Sequence, residues 1–277
     1  MHSHDQTALA ESQTRDALAN ADALRIAGRW GDASALLRGA GPAAALAGRE
    51  VQGRRALAAA QVLADQHIFA RVKSTAERER LLDEAMAHAD AVSSDPLRAA
   101  VWDAKGWSLH AAFITAEDQE ENPDELACFE RGLAMRRAMG NQRDIAESLF
   151  HVGLVYGVVR DDDLQGMPYF QRAYDLAKQA GDTILQSYAI RHLGYAKHIA
   201  GDESAARAGM LESLRLREEA GFVPGIAYAL LPVAENELAQ GDQSAALGYY
   251  RHAREIFTSL GLPRQVAWVD ELIAAVE

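Results

Sequence analysis

The chain has 277 residues, of which 49% are hydrophobic and 7% aromatic, and its formal net charge at pH 7 is -12. An acidic chain repels the phosphate backbone of nucleic acids, so we expect no nucleic-acid partner. No stretch approaches the ~20 apolar residues that a membrane span requires, so we expect no membrane partner either.

The cysteine content and the N-terminal residues indicate the compartment. Cys128 is the only cysteine, which excludes an intrachain disulfide and favours a reducing environment. The N-terminus has no basic region followed by an apolar run, the pattern of a secretory signal. We therefore expect a cytoplasmic protein.

The first residues predict an N-terminal cap hairpin over 5–42. A rough stripe of apolar residues predicts a helix over 5–28, and the residues 30–32 predict a turn. A short second helix follows and stops at Gly39. Shortened hairpins of this kind are expected at the end of a helical repeat array.

Residues 43–95 predict a degenerate repeat. A long helix is expected over 43–72, where apolar residues recur at helical spacing. Ser74 or Thr75 would cap the second helix, although Arg78 rather than Glu stands three residues after Thr75, so that capping box is incomplete.

Residues 96–140 predict a further repeat with an unusual turn. Helices are expected over 96–115 and 124–139, and the acidic residues 117–124 separate them. This loop is longer than the matching turns downstream. It would be either a solvated surface loop or a flap over one end of the array.

From residue 140 onward the sequence repeats with a period near 40. Four glycines, spaced 41, 40 and 40 residues, mark the period: Gly140, Gly181, Gly221 and Gly261. They delimit repeats over 96–140, 141–181, 182–221 and 222–261, followed by a capping helix over 262–277. A fixed period of this length is typical of stacked helical hairpins.

The predicted fold is therefore all-α, a right-handed superhelical array (α-solenoid) of antiparallel helical hairpins forming a single domain over 1–277. Six hairpins and a closing helix give about thirteen helices. Each hairpin would bury its apolar face only by packing on its neighbours.

The clear repeats resemble the tetratricopeptide repeat. Leu193-Gly194 on a first helix, then Gly201-Asp202 in the turn and Ala206 on the second helix, match the pattern of that family. The period of 40 exceeds the usual 34 residues and is similar to the longer-repeat variety common in bacterial regulators. The resemblance covers about two-thirds of the chain well and implies a superhelix whose first helices line a concave groove.

The positions that would face this groove are rich in histidine and tyrosine. Counted from the small residue at the centre of each first helix, they fall within one broad helix face. The candidate binding residues are Trp107, His110, Glu147, His151, Tyr188, Arg191, His192, Tyr195, His198, Tyr228 and Glu235.

His151 and His192 occupy the same repeat position, 41 residues apart. They would be packing or hydrogen-bonding residues, ligand contacts, or metal ligands; the last is least favoured because no His-x3-His or Cys-x2-Cys spacing is present. As groove residues they would share one binding surface with Tyr188 and Tyr195, and replacing both histidines by alanine would spare stability while weakening binding.

No catalytic or cofactor-binding motif is present in the sequence. It lacks Gly-x-Ser-x-Gly, a phosphate-binding loop and Gly-x-Gly-x-x-Gly after a strand. Glu147 and His151 stand one helical turn apart, as in an acid–base pair, but a short pattern of this kind is weak evidence and we do not favour that role. Cys128 is expected to be a small core residue. We expect no cofactor, no metal and no enzymatic activity, without excluding catalysis.

Two classes of function remain open. The first is a binding module whose groove takes a peptide or protein partner, so that the protein acts as an adaptor or regulator. The alternative is a small-molecule-binding or catalytic pocket lined by the histidines and tyrosines. Self-association through an exposed end, giving a homodimer, is a third option.

Overall fold

The computed structural model describes residues 2–277, with side chains from Gln6 onward, and every regular element in that range is helical. The helices of residues 2–154 are α1 (His2–Ile26), α2 (Trp30–Gly39), α3 (Gly41–Leu46), α4 (Arg49–Ala70), α5 (Thr75–Ala91), α6 (Asp95–Phe113), α7 (Pro123–Met139) and α8 (Gln142–Leu154). Those that follow are α9 (Asp163–Ala180), α10 (Thr183–Ile199), α11 (Glu203–Glu219), α12 (Val223–Ala239), α13 (Gln243–Ser259) and α14 (Pro263–Val276). Within residues 2–277, no helix is both long and apolar enough to cross a bilayer.

The chain divides into two compact units. The first runs to Arg25 and continues over Arg29–Asp161, and the second contains Ile26–Gly28 and Asp162–Glu277. The boundary lies inside the predicted repeat 141–181, between its two helices. The single domain predicted from the sequence stays a prediction.

Helical hairpins build each unit, as the period predicts. In the first unit α4 packs along α5 and α6 along α7; in the second unit α10 packs along α11 and α12 along α13. Small and apolar side chains fill the space between the paired helices. Around α4, α5 and α6 the buried residues include Leu82, Leu97 and Val101.

The turns between hairpins explain why the period is marked by glycine. At Gly181 the chain has a φ of 69°, a left-handed conformation that costs glycine little and other residues more. The next residue, Asp182, caps α10 by accepting a hydrogen bond from the backbone N–H of Leu185 at 3.0 Å. The dipeptide Gly181-Asp182 thus ends α9 and caps the start of α10.

The N-terminal segment differs from the sequence prediction in detail. The expected helix 43–72 is broken at Gly48, where extended backbone separates α3 from α4. The expected turn at 30–32 is already helical, because α2 begins at Trp30. Ser74 precedes α5 but its side chain makes no capping hydrogen bond. Residues 2–277 therefore contain fourteen α-helices rather than about thirteen.

The acidic loop is fixed by an ion pair within the first unit. Glu121 accepts two hydrogen bonds from Arg160, at 2.7 and 2.9 Å. The side chain of Asn122 then accepts a hydrogen bond from the backbone N–H of Asp124 and caps α7. The exposed Arg160–Glu121 pair holds this loop against the segment that follows α8.

A π-helical turn, Val155–Val159, directly continues α8. Such turns are rare and are usually single interruptions of an α-helix. Here it carries the half-buried Tyr156, whose ring lies 5.1 Å from the Arg160 guanidinium. It separates the end of α8 from the N-cap of α9 at Asp162.

We predict that Gly194→Leu destabilises the protein by about 1–3 kcal/mol through overpacking. A Cβ at Gly194 would lie 3.3 Å from the Ala206 carbonyl oxygen and 3.6 Å from the Gly209 Cα, because α10 and α11 touch at this point. Chemical denaturation would measure the change.

The matched control is Gly248→Leu, since a Cβ at Gly248 has no atom within 4 Å. That variant should be at least as stable as the parent, because glycine is unfavourable inside a helix. Equal stability of the Gly194→Leu variant and the parent would show that the α10–α11 crossing has been misplaced.

Candidate functional site

Four of the predicted binding residues lie in the first unit, and three of them stack as rings. The Trp107 ring centroid lies 5.4 Å from that of His110 and 5.0 Å from that of His151. Trp107 is half-buried, whereas His110 and His151 are 3% and 9% exposed. Helices α6 and α8 therefore bring these residues together, but mostly inside the unit.

A buried polar network centred on Asp103 explains why His151 is inside. His151 Nδ1 donates to one oxygen of Asp103 at 2.8 Å, and Ser148 Oγ donates to the other at 2.9 Å. Arg136 donates to Ser148 Oγ at 2.7 Å and lies 3.2 Å from the same Asp103 oxygen. The outer nitrogen of Arg136 binds Glu147 at 2.9 Å. This network links α6, α7 and α8.

The charges of this network are mutually stabilised. Burial alone would raise the pKa of Asp103, but Arg136 and His151 lower it to about 2. Burial alone would lower the pKa of His151, but Asp103 raises it above its ordinary value. Arg136 and His151 therefore favour the ionised form of Asp103, and Asp103 in turn favours the protonated form of His151.

His151 and His192 share one repeat position, and the sequence predicts that both are exposed groove residues. That expectation is wrong for His151, whose side chain is 11% exposed. His110 is likewise buried and pairs through Nδ1 with Glu125 at 2.8 Å. Glu147 is tied to Arg136 and makes no hydrogen bond to His151 that would form the proposed acid–base pair. Removing His151 should therefore affect stability, contrary to the expectation from sequence.

Cys128 faces a cleft of about 420 Å³ in the first unit, which Trp102 and Arg131 also line. Burial raises the pKa of the Cys128 thiol. The protonated thiol is a poor nucleophile. The cleft is thus a surface feature of the α5, α6 and α7 region in which burial favours the thiol form of the cysteine.

In the second unit, α10 presents a continuous half-buried row of the predicted residues. Tyr188, Arg191, His192 and Tyr195 are all of intermediate exposure. Arg191 donates to the ring of His192 at 3.2 Å and its guanidinium lies 5.7 Å from the Tyr195 ring centroid. The His192 ring stacks on Phe170 of α9 at 4.6 Å. We call these four residues the α10 face.

Two other predicted residues of this unit, His198 and Glu235, lie with Tyr195 at one end of α10. Tyr195, His198 and Glu235 line a cleft of about 240 Å³ between α10, α11 and α12. His198 is exposed and pairs with Glu203 at 3.0 Å. Burial raises the pKa of Glu235, and the nearby His198 offsets part of that effect.

Tyr228 is separated from this cleft by its packing. Its ring meets Phe257 edge-on at 5.1 Å and lies 6.5 Å from the ring of Trp268. Gln265 donates to its hydroxyl at 3.5 Å. The structure therefore places Tyr228 among α12, α13 and α14, where it joins the C-terminal helices.

Sequence reasoning missed Arg217, which lies beneath the α10 face. It is 2% exposed, and its guanidinium lies 4.9 Å from the Tyr188 ring centroid. It donates to the Gly225 carbonyl at 2.6 Å and to Ser187 Oγ at 3.4 Å. A signal was present: Arg217 stands four residues before Gly221, as Arg136 does before Gly140. Arginine at a position that should be apolar indicates a buried charge.

Comparison with known proteins shows the fold. No family model and no curated protein sequence matches the chain. A Rap protein complexed with Competence and Sporulation Factor is similar in structure, with a TM-score of 0.66 and 15% identity over 96% of this chain and 71% of that chain. BtubC from P. vanneervenii has a TM-score of 0.54 and 14% identity over 94% of this chain and 93% of that chain.

A third similar structure is a Signal Transduction ATPase with Numerous Domains that has a tetratricopeptide repeat sensor, from Pyrococcus horikoshii. Its TM-score is 0.55 at 16% identity, and the match covers 88% of this chain but only 36% of that protein. Together these likenesses define the class. The chain has a tetratricopeptide-like fold, as its repeats predict.

We predict that Asp103→Ala destabilises the protein by about 3–5 kcal/mol, because it leaves Arg136 and His151 buried without their carboxylate. The control is Asp83→Ala on the neighbouring helix. Asp83 also pairs with a cation, Lys105, but its side chain is 71% exposed, so its loss should cost less than about 1 kcal/mol. Urea denaturation would compare the two. Similar losses in both variants would contradict the burial of the network.

The same network predicts a pH dependence of stability. A group whose folded pKa is raised stabilises the fold below its unfolded pKa, and that contribution is lost as the pH rises through the folded pKa. His151 follows this rule. Asp103 has a lowered pKa, so its contribution is present above about pH 4 and is lost as the pH falls towards 2.

The measurement is the melting temperature between pH 5.5 and 8.5 (roughly the range in which histidines titrate) for the parent and His151→Gln. The pKa of His67 is lowered by burial and by Arg78, so His67 makes the stability of the fold change with pH in the opposite direction. The difference in melting temperature between the parent and His151→Gln removes that contribution, because both proteins contain His67. The parent should melt at a higher temperature than His151→Gln at low pH, and this difference should shrink as the pH rises. His198→Gln, which removes an exposed histidine outside the network, is the control for the substitution itself. A pH-independent difference would contradict the raised pKa.

Proposed function

We propose that this protein is a binding module that takes a peptide segment of another protein along the α10 face and thereby acts as an adaptor or regulator. The observation that carries the proposal is the row of Tyr188, Arg191, His192 and Tyr195, which are half-buried on successive turns of one helix. Tyrosine and arginine are the residues most enriched where binding energy concentrates in protein interfaces.

The chemistry of the α10 face suits a peptide. Aromatic rings offer apolar area at a low cost in side-chain entropy, and their polar ends reach hydrogen-bond partners. Arg191 adds donors beside the Tyr195 ring. The fold supports the proposal as well, because a Rap protein of similar structure has been seen in complex with Competence and Sporulation Factor.

A small-molecule ligand is the second candidate, and the cleft of Tyr195, His198 and Glu235 favours it. Its volume of about 240 Å³ is near the lower end of ligand pockets. Glu235 there has a raised pKa because of its burial, a property shared by many functional sites. A ligand of this class would contact the cleft and leave Tyr188 unaffected.

We predict that a peptide selected from a random library against the full chain binds Tyr188→Ala and Tyr195→Ala at least about tenfold more weakly than the parent, since truncating an interface anchor costs about 2 kcal/mol. Isothermal titration calorimetry would measure the affinities. Melting temperatures of the variants would show that the fold is intact.

Tyr249→Ala is the matched control, because Tyr249 is a half-buried tyrosine on α13, away from the α10 face. Its affinity should equal that of the parent. Unchanged binding by both α10 variants would place the peptide elsewhere. A metabolite that raises the melting temperature of the parent and of Tyr188→Ala, but not of Glu235→Gln, would favour the small-molecule candidate instead.

A further inference from the structure

Two arginines of the second unit have buried N–H groups without acceptors. Arg217 Nη2 and Arg191 Nε find no hydrogen-bond partner among the residues that the structure describes. A buried donor without an acceptor costs about 1–3 kcal/mol, and more when the donor is charged. Such groups are uncommon in folded proteins and call for an explanation.

The charge of Arg217 is also uncompensated. Burial and the neighbouring Arg191 lower its pKa to about 10, so it stays cationic at neutral pH. The groups that offset this effect are the hydroxyls of Tyr188 and Tyr195 rather than a carboxylate. In a chain with a net charge of -12, acidic side chains are abundant, yet none of the described ones pairs with this cation.

The first unit contains an internal comparison. Arg136 occupies the same repeat position as Arg217 and is almost equally buried, at 5% against 2% exposure. Arg136 has two carboxylates, Asp103 at 3.2 Å and Glu147 at 2.9 Å. Arg217 has a carbonyl, a hydroxyl and two aromatic rings. The acid that completes the Arg136 site is missing at the Arg217 site.

Burial alone does not account for this difference. Arg78 is 1% exposed and has no carboxylate partner, but it donates to Ser108 Oγ at 2.6 Å, to the Ser108 carbonyl at 3.3 Å and to His67 at 3.1 Å. A buried arginine in this protein can thus be satisfied by neutral acceptors. Arg217 is not satisfied in that way, since one terminal nitrogen remains without a partner.

We propose that Arg217 and Arg191 together bind a carboxylate group of the ligand that occupies the α10 face. Arg217 and Arg191 are close enough for their charges to interact, each has one N–H group without an acceptor, and arginine–carboxylate hydrogen bonds are among the strongest in proteins. The residues nearest these groups on the α10 face, Tyr188, Arg191 and Tyr195, are only partly buried, so a ligand on that face would need them to move aside to reach the two N–H groups. The carboxylate is a peptide C-terminus or an acidic side chain. The inference rests on the proposed function for the identity of the ligand, but the anion site is testable without any peptide.

The first test uses acetate as the probe. The melting temperature of the parent should rise in sodium acetate relative to sodium chloride at the same ionic strength. Arg217→Met should abolish this difference and Arg191→Met should reduce it by at least about half, because each removes one charged donor. Arg217→Met should itself fold, since replacing an uncompensated buried charge by an apolar side chain of similar size is often neutral or stabilising.

Arg215→Met is the matched control. It removes the same charge two residues away on the same helix, where Arg215 is exposed and pairs with Glu212 and Glu219. This variant should keep the acetate effect of the parent. A parent without an acetate-specific rise, or an Arg217→Met variant that retains it, would overturn the proposal.

A second readout needs no change at Arg217. In ¹H–¹⁵N spectra of the parent, the Nε–H signal of Arg191, assigned by its loss in Arg191→Met, should shift on acetate titration and saturate. The Arg215 signal should not follow it. An Arg191 signal that ignores acetate would contradict the proposal even if the Arg217 variant failed to fold.

Peptides then separate the two proposals and identify the source of the carboxylate. A library peptide that binds the α10 face should lose about tenfold or more in affinity on C-terminal amidation, if the terminus is bound, or on changing Asp and Glu to Asn and Gln, if a side chain is bound. If the unmodified, the amidated and the Asn/Gln-substituted peptides all bind with equal affinity, the proposed carboxylate site is wrong, whereas the proposal of peptide binding still stands. Failure of every peptide to bind would overturn the proposed function, and the acetate titration would still decide the anion site.

Discussion

A buried guanidinium has five N–H donors to satisfy away from water, and helices α6, α7 and α8 meet around one such group, Arg136. Arg136 joins α6, α7 and α8 because its acceptors come from the helices on either side of its own. A charge held this way contributes little net stability compared with an apolar core, but it penalises any packing that leaves it unpaired. The Asp103 network therefore links α6, α7 and α8 and disfavours any packing that separates Asp103 from Arg136 and His151.

The sequence predicts the order of the helices and the repeat positions of the glycines in the turns and at the helix crossing. The four spacing glycines end second helices, and Gly194 lies at a helix crossing, as predicted. These features are local: a left-handed turn and a close backbone approach each impose a residue type at one place. The break at Gly48 was not predicted, because many helices contain an isolated glycine without being interrupted.

For the candidate site, the sequence predicts on which helix and on which face of that helix each residue lies, but not whether its side chain is exposed. The offsets from the central glycine select Tyr188, Arg191, His192 and Tyr195, and all four are partly exposed on α10, whereas their role in binding stays a prediction. The same rule selected His151, which is buried by Asp103, a residue 48 positions earlier. A pairing over that distance has no signature in a single sequence. Whether a groove position is solvent-exposed depends on such partners, and the repeat rule does not contain them.

The π-helical turn after α8 accounts for the one irregular spacing in the repeat. The interval from Gly140 to Gly181 is one residue longer than the other two, and the surplus lies between Gly153 and Asp162, the interval that contains Val155–Val159. A π-helical turn is what an α-helix becomes when a single residue is inserted into it. Asp162 consequently keeps the capping role that Asp202 and Asp242 have in the later repeats. The extra residue is thus taken up at the C-terminal end of the helix, so the cap at Asp162 and the turn at Gly181 keep the spacing that their counterparts have in the later repeats.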